Sequence, residues 1–164
     1  MEELINKLIR QNDDTKEGEK IIYRVLSKLE NNNELKWELL EALYEYSSYF
    51  RKIGLTLEEA TEILLLGKNK GLGYIDRMGD VLKEFCIRTT IENAELKEAL
   101  EIMKLDAEET KEKLLQGGNI SKTTFKEIIN KLDCIQDVKI KNKVGEKIFR
   151  TFWEEMKDLI VKLK

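Results

Sequence analysis

Pairs of neighbouring glutamates are the groups in this chain best suited to acid–base chemistry. They are Glu58-Glu59, Glu108-Glu109 and Glu154-Glu155. Two carboxylates can act as acid and base when one of them lies in an apolar pocket that raises its pKa. Each pair instead falls at or near the expected start of a helix, where the helix dipole favours negative charge. We therefore interpret the pairs as helix-start residues and predict no catalytic residues and no enzymatic activity.

The chain lacks the residues that most metal and nucleophilic sites require. Cys86 and Cys134 are its two cysteines and histidine is absent, which excludes a Cys/His zinc site within one chain and a histidine-based triad. Two glycine pairs, Gly71 with Gly73 and Gly117 with Gly118, are not followed by the lysine–serine pair of a phosphate-binding loop. We predict no metal and no cofactor. Both cysteines fall on expected apolar faces, so we expect buried reduced thiols, with a disulfide as the alternative.

A basic and aromatic cluster near the C-terminus is the best candidate for a binding surface. Its basic members are Lys139, Lys141, Lys143, Lys147 and Arg150. Such clusters can follow a nucleic-acid backbone, but the neighbouring aromatics recur at helical spacing and three glutamates dilute the charge. The formal net charge of −3 also gives no field for nucleic acid or an anionic membrane. We predict a protein partner rather than a small-molecule substrate, with core packing as the alternative; the contact residues are Phe149, Phe152, Trp153 and Met156.

The composition predicts an all-α fold. Proline, which is costly inside helices, is absent, and charged residues, mostly Lys and Glu, make up 37% of the chain. No apolar run is long enough to span a membrane. The N-terminal residues lack the apolar stretch of a signal peptide, so we expect the protein to be made and kept in the cytoplasm, at least at first.

An internal repeat indicates how the helices are organised. Residues 55–67 and 105–117 are identical at seven of thirteen positions, and apolar positions continue to match further along the chain. A fixed offset of this kind is typical of a repeated helical unit. We predict a tandem three-helix pseudo-repeat, with one copy at about 34–88 and the other at about 90–135. One such unit cannot bury its apolar face alone, so we expect the two copies to pack together.

Helix caps and apolar spacing place the remaining elements. We predict one domain over 1–164, a bundle of about eight to ten helices, with N-terminal helices in 1–33 and a C-terminal amphipathic helix in 136–164. Expected N-terminal caps are Thr56 with Glu59, Thr89 with Glu92, Asp106 with Glu109, and Ser121. The glycines at 71 and 73 should end the helix that starts at 57. A second aromatic cluster, formed by Tyr44, Tyr46, Tyr49 and Phe50, is expected in the core.

The C-terminal region carries two opposed patterns. Residues 138–144 alternate apolar and basic side chains, which is a strand signal, but no partner strand is evident, so we expect an extended or poorly ordered start. From Lys147 onward the apolar residues form an amphipathic stripe. They are Ile148, Phe149, Phe152, Trp153, Met156, Leu159, Ile160 and Leu163. We expect this helix to continue through Arg150.

Three stretches, taken in order, resemble the conserved helical region of tail tape measure proteins of long-tailed bacteriophages and prophages of Gram-positive hosts. They are EALYEYSSYFRKIGLTLEEATEILLLGKNKGL at 41–72, YIDRMGDVLKEFCIRT at 74–89, and residues 103–158, which include LLQGGNISKTTFKEIINKLDCIQD and VGEKIFRTFWEEMKD. The family usually has glycine where this chain has Arg150, and Glu-Asp where it has Glu154-Glu155. Family members are also much longer, with coiled-coil and apolar segments that this chain lacks.

The resemblance implies a non-enzymatic structural protein of virion assembly. A tape measure acts through its extended length, and helix caps and glycines break this chain into short helices. We therefore expect either a domain of a longer tape measure protein or a short relative that acts by protein–protein interaction. Expected partners are itself or other tail and assembly proteins, in the host cytoplasm during assembly and in the virion tail thereafter. The alternative is a free-standing phage-encoded helical binding module that targets a host protein.

Overall fold

A computed structural model describes residues 1–11, 16–29, 32–69, 75–91 and 93–157. The described residues are helical apart from short turns and contain no strand, which confirms the all-α prediction. The helices are α1 (Glu2–Gln11), α2 (Lys16–Lys28), α3 (Asn33–Ile53), α4 (Leu57–Asn69), α5 (Asp76–Thr90), α6 (Ala94–Ile102), α7 (Ala107–Gln116), α8 (Gly118–Asp133), α9 (Val138–Phe149) and α10 (Trp153–Met156), with a 3₁₀ turn, η1, at Arg150–Phe152.

The residue contacts divide the chain into two compact units. Unit 1 contains residues 1–51 and 55–80, and unit 2 contains residues 52–54 and 81–164. Helix α5 therefore begins in unit 1 and ends in unit 2. The prediction of one domain stays a prediction, because two contact-dense units within one chain are compatible with one or two folding domains.

In unit 1, helix α2 packs against α1 and α4. The core of this unit is formed by apolar side chains from α1 to the start of α5. They include Leu8, Val25, Leu39, Leu40, Leu64 and Met78. The hydroxyl of Tyr46 donates a hydrogen bond to Asp80 at 2.9 Å, and its ring lies against Gly79, where a Cβ would overlap it.

In unit 2, helix α7 packs against α8, and α6 packs against α9 and α7. The 3₁₀ turn and α10 fold back on α9. The core of this unit includes Leu82, Phe85, Leu100, Phe125, Ile128, Ile148 and Phe149. Most of the apolar positions that the helical spacing placed inward are therefore buried.

The turn before each copy of the internal repeat has the same backbone geometry. Gly54 and Lys104, fifty residues apart, both have positive φ, at 82° and 59°. Leu55 N–H donates to Phe50 O, and Leu105 N–H donates to Leu100 O, each at 2.9 Å. These are the long hydrogen bonds of a helix C-terminus that ends in a left-handed residue.

The N-terminal caps after these turns also match. Thr56 and Glu59 form the expected reciprocal capping box, at 2.8 and 3.2 Å. Asp106 accepts the N–H of Glu109 at 2.8 Å. The copies diverge beyond that point, because Gly67 lies inside α4, whereas its counterpart Gly117 separates α7 from α8. The wider three-helix repeat therefore stays a prediction.

Two predicted caps are wrong. Thr89 lies inside α5, where its hydroxyl donates to Phe85 O, and α6 is instead capped by Asn93, which accepts the N–H groups of Glu95 and Leu96. Ser121 lies in the first turn of α8, and its hydroxyl donates to Lys52 O at 2.7 Å. Glu92 and the glycines at 71 and 73 lie outside the described residues.

Two predictions for the C-terminal region are also wrong. Residues 138–144 are helical, because Asp137 accepts the N–H groups of Lys139 and Ile140 and so caps α9. The helix does not continue through Arg150, which has φ 52° and ψ −128° and ends α9. The chain turns there through η1 into α10. Leu159, Ile160 and Leu163 of the predicted stripe lie outside the described residues.

Candidate contact surfaces

The four predicted partner-contact residues lie in unit 2, and three of them are buried within this chain. Phe149, Trp153 and Met156 have at most 1% of their surface exposed, and Phe152 is half-buried. The break at Arg150 produces this arrangement, because it turns the Trp153 ring back onto α9. Partner contact by these residues stays a prediction, and Phe152 is the one whose side chain is accessible in the single chain.

An aromatic ladder holds α9 and α10 in place. Phe85 meets Phe125 edge-to-face at 5.0 Å between ring centroids, and it stacks with Phe149 at 6.0 Å. Phe149 in turn stacks with Trp153 at 6.4 Å. The indole Nε1 of Trp153 donates to Asn142 Oδ1 at 3.1 Å, so its polar atom is satisfied. Aromatic pairs of this geometry add to the stabilisation from burial.

A buried arginine lies between α5, α6 and α9. Arg88 is 2% exposed, and its Nη2 donates to Glu95 at 2.9 Å and to Lys147 O at 2.7 Å. Glu84 lies 3.9 Å from its Nη1, and Nε has no hydrogen-bond partner. Guanidinium groups suit such sites because their planar fork reaches several acceptors at once. Arg88 therefore ties three helices of unit 2 together.

The predicted basic cluster is largely neutralised by carboxylates. Lys143 and Lys147 both contact Glu98 at 2.8 Å, and these hydrogen bonds lower the pKa of that carboxyl to about 2. Lys141 pairs with Asp133 at 3.0 Å. Arg150 lies 3.7 Å from Glu84. Four of the five basic side chains therefore have a carboxylate partner, which makes this surface a poor match for a phosphate backbone.

The glutamate pairs occupy structural positions. Glu58 lies 3.7 Å from Arg24, and Glu59 accepts the N–H of Thr56. Glu109 pairs with Lys113 and Glu154 pairs with Lys157, each at 2.6 Å. The side chain of Glu155 lies outside the described part of the chain. In that part, no three Cys, Asp or Glu residues are grouped closely enough to hold a metal ion.

The two cysteines have different environments. Cys86 is buried, and burial raises the pKa of its thiol to about 12. Cys134 is exposed, so the prediction that both lie on apolar faces is wrong for Cys134. It follows the last turn of α8, where the chain leaves the core, and apolar spacing extrapolated past the helix end placed it inward. The two cysteines do not form a disulfide with each other.

An apolar groove of about 440 Å³ lies in unit 2 between the end of α5 and helices α6, α7 and α8. Its floor is formed by Leu96, Leu100, Leu114 and Ile128, and Lys97 and Lys111 lie on its rim. Ile91, 53% exposed, lies at its edge. One signal for this groove could be found in the sequence: Ile91 is an apolar residue directly after the end of a helix.

The second aromatic cluster is only partly core. Tyr46 and Phe50 are 3% exposed, as predicted, whereas Tyr44 is 36% exposed. Tyr44 shares a face of α3 with Trp37, which is 42% exposed. Sequence reasoning missed Trp37 as a surface residue; its spacing of seven from Tyr44 was the available signal.

Comparisons of this chain with protein-family models, curated proteins and solved structures found no match. Among the helices that the structure describes, none has the length and apolar character needed to cross a membrane.

Proposed function

We propose that this chain is a structural or assembly component of a phage tail, similar to a region of the tape measure protein, that acts through protein–protein contacts. The observation that carries the proposal is the ordered similarity of residues 41–72, 74–89 and 103–158 to that family. The proposal includes the bacterial cytoplasm during assembly and the virion tail as its locations.

The backbone at Arg150 supports the resemblance. Its φ of 52° and ψ of −128° are close to the first central position of a type II′ turn, which strongly favours glycine. The family usually has glycine at this position. A non-glycine residue held in a glycine conformation indicates that the surrounding packing, rather than the local sequence, sets the turn.

The surfaces of the chain support contact rather than length measurement. Described helices are at most 21 residues long, and caps and left-handed residues separate several of them. Exposed apolar side chains remain on several helices, including Trp37, Leu115, Ile120 and Val138. Apolar and aromatic groups of this kind are enriched at the centres of protein interfaces.

The experiment that tests the proposal is mass spectrometry of purified tails from an induced lysate of the source bacterium, with an antibody against residues 93–157 to measure the native polypeptide. We expect peptides of this chain in the particles, joined to a longer polypeptide. A native product of 164 residues that is absent from particles would contradict the proposal.

The alternative is a free-standing helical module that binds a host protein. The exposed Trp37 and Tyr44 surface of unit 1 favours it, because Trp and Tyr are the residues most enriched at binding hot spots. Purification of the tagged chain from host lysate distinguishes the two functions. A stoichiometric complex with one host protein supports the module, and co-purification with tail proteins supports the tail component.

A further inference from the structure

An open groove of about 600 Å³ in unit 1 lies between α1 and α3. Trp37 and Tyr44 line it, as do Leu4 and Met1. Trp37 is 42% exposed and Tyr44 is 36% exposed. They lie seven residues apart on α3, so their rings share one helix face. Two large aromatic side chains thus remain accessible beside apolar surface.

The charged groups around this groove are mostly acidic. Glu3, Glu41 and Glu45 line it together with Lys7 and with Met1, whose terminal amino group lies near Glu3. Lys7 is already paired with Glu3 at 2.9 Å. In the described part of the chain, no ion pair involves Glu41 or Glu45. Glu41 lies four residues after Trp37 and three before Tyr44, so helical spacing places it on the same face as both rings.

We propose that this groove is a docking site for a basic, apolar segment of a partner protein, which inserts an aliphatic side chain between the helices and a Lys or Arg beside Trp37 and Glu41. The proposal does not depend on the phage-tail function. Aromatic faces attract cations, and a carboxylate next to the ring adds a charge-assisted hydrogen bond. The two unpaired carboxylates identify the partner's charge, and the accessible aromatic and aliphatic surface identifies its apolar character.

The distribution of charge makes this occupant a better fit than the others. An acidic helix or an anionic membrane surface would place like charges beside Glu41 and Glu45. A purely apolar segment would leave both carboxylates without a partner in a partly desolvated interface, which weakens binding. A basic segment without apolar residues would leave Trp37 and Leu4 exposed to water.

The test uses the full chain and three synthetic helical peptides: a lysine–leucine peptide, a glutamate–leucine peptide and a lysine–serine peptide. Tryptophan fluorescence reports binding, because Trp37 is exposed and Trp153 is 1% exposed; the Trp37→Phe variant supplies the background signal. We expect the lysine–leucine peptide to shift the Trp37 emission to shorter wavelength and to bind at least about tenfold more tightly than the other two, which is about 1.4 kcal/mol.

Variants locate the site. The double variant Glu41→Gln/Glu45→Gln is expected to weaken binding of the lysine–leucine peptide about tenfold. Trp37→Ala is expected to weaken it at least as much, and its affinity is measured by isothermal titration calorimetry because this variant lacks the reporting tryptophan. Glu62→Gln/Glu101→Gln, which makes the same change in net charge on exposed positions outside the groove, should leave the affinity within about twofold. Circular dichroism checks that each variant is folded, and the two glutamate variants replace only exposed groups.

Three results would overturn the proposal. Equal weakening by the control pair would show attraction to the acidic chain as a whole. Equal binding of the glutamate–leucine peptide would show an apolar surface without charge preference. A dimer in light scattering that Trp37→Ala dissociates would make a second copy of this chain the occupant of the groove.

Discussion

Gly145 lies directly against the indole ring of Trp153, and a Cβ at position 145 would overlap three atoms of that ring. The glycine on α9 therefore provides the space into which α10 folds its tryptophan. Because Trp153 is 1% exposed, the ring has no open space to move into. This close approach explains why the aromatic stripe faces the core of unit 2.

Substitution of this glycine should destabilise the fold. We expect Gly145→Ala to lower the free energy of unfolding by about 2 kcal/mol or more, since overpacking a filled core forces side chains and backbone to shift. Urea denaturation followed by circular dichroism measures the change. Glu146→Ala, at the exposed neighbouring position of the same helix, is the matched control and should change stability by less than about 0.5 kcal/mol. Equal stability of Gly145→Ala and the control would show that Trp153 does not occupy this position.

Substitutions at Arg150 should show whether the turn between α9 and α10 is strained. Its φ of 52° and ψ of −128° suit glycine, and a strained residue of this kind costs about 1–3 kcal/mol. We therefore expect Arg150→Gly to be more stable than Arg150→Ala by about 1 kcal/mol or more. Both variants remove the exposed contacts to Glu84 and Glu95, so their difference isolates the backbone term. A more stable alanine variant would show that the residue is helical and that α9 continues through it.

Substitutions at Arg88 should show how much this buried charge contributes to the stability of the fold. Arg88→Ala is expected to lower the free energy of unfolding by about 3 kcal/mol, because the carbonyl of Lys147 loses its donor and the helices lose a filled volume. Arg88→Met keeps most of the volume and leaves no unpaired Nε, so it should lose less than half as much. Thermal and urea unfolding measure both variants. If methionine were as harmful as alanine, the hydrogen bonds rather than the packing would dominate.

The cysteines should differ in reactivity. Cys134 is exposed, whereas the buried Cys86 has its pKa raised to about 12. At pH 8 a thiol reagent such as Ellman's reagent should therefore modify one thiol per chain rapidly, and the second only after urea unfolds the protein. Cys134→Ser should abolish the rapid phase and Cys86→Ser should leave it intact. Two rapid phases would indicate that the core around Cys86 opens readily.

Glu98 predicts a pH dependence of stability. Its hydrogen bonds to Lys143 and Lys147 lower its pKa from 4.5 to about 2 in the folded state. A lowered folded-state pKa contributes stability that is complete above the unfolded pKa and is lost as the pH falls through the folded value. The difference in stability between the wild type and Glu98→Gln should therefore be constant near neutral pH and shrink between pH 4.5 and about 2. Carboxyl NMR titration gives the pKa directly, and a midpoint at 4.5 would show that the pairs do not persist in solution.

Features encoded in a few neighbouring residues could be predicted. The capping box of Thr56 and Glu59 and the cap at Asp106 were found from sequence because a cap depends on side chains three residues apart. The helices that follow these caps begin where expected. The same reasoning gave a wrong cap at Thr89. Asn93, four residues later, is also a suitable cap residue, and which of the two caps α6 depends on where helix α5 ends.

Features that depend on packing could not be predicted. The alternation in residues 138–144 is a strand signal, but its three apolar residues do not share one buried face. Val138 and Ile140 are exposed, whereas Val144 is buried on the inner face of α9. Arg150 carries no helix-breaking signal, and the turn there is accompanied by packing of Trp153 against Gly145, a contact between residues eight apart that local patterns do not reveal. Cys134 was placed wrongly and Trp37 was missed for a related reason, since periodicity gives the spacing of residues on a helix face but not what covers that face.

The sequence by itself determined that this protein is helical, where most of its helices begin, and that Thr56 and Asp106 cap equivalent helices, because helix propensity and caps are local. The matching turn geometry at Gly54 and Lys104 was found only in the structure. The tertiary structure decided which aromatic residues are core and which are accessible, since burial depends on the neighbours of each face. It buried Trp153, which the sequence favoured as a contact residue, and left Trp37 exposed beside Glu41, which forms no ion pair in the part of the chain that the structure describes.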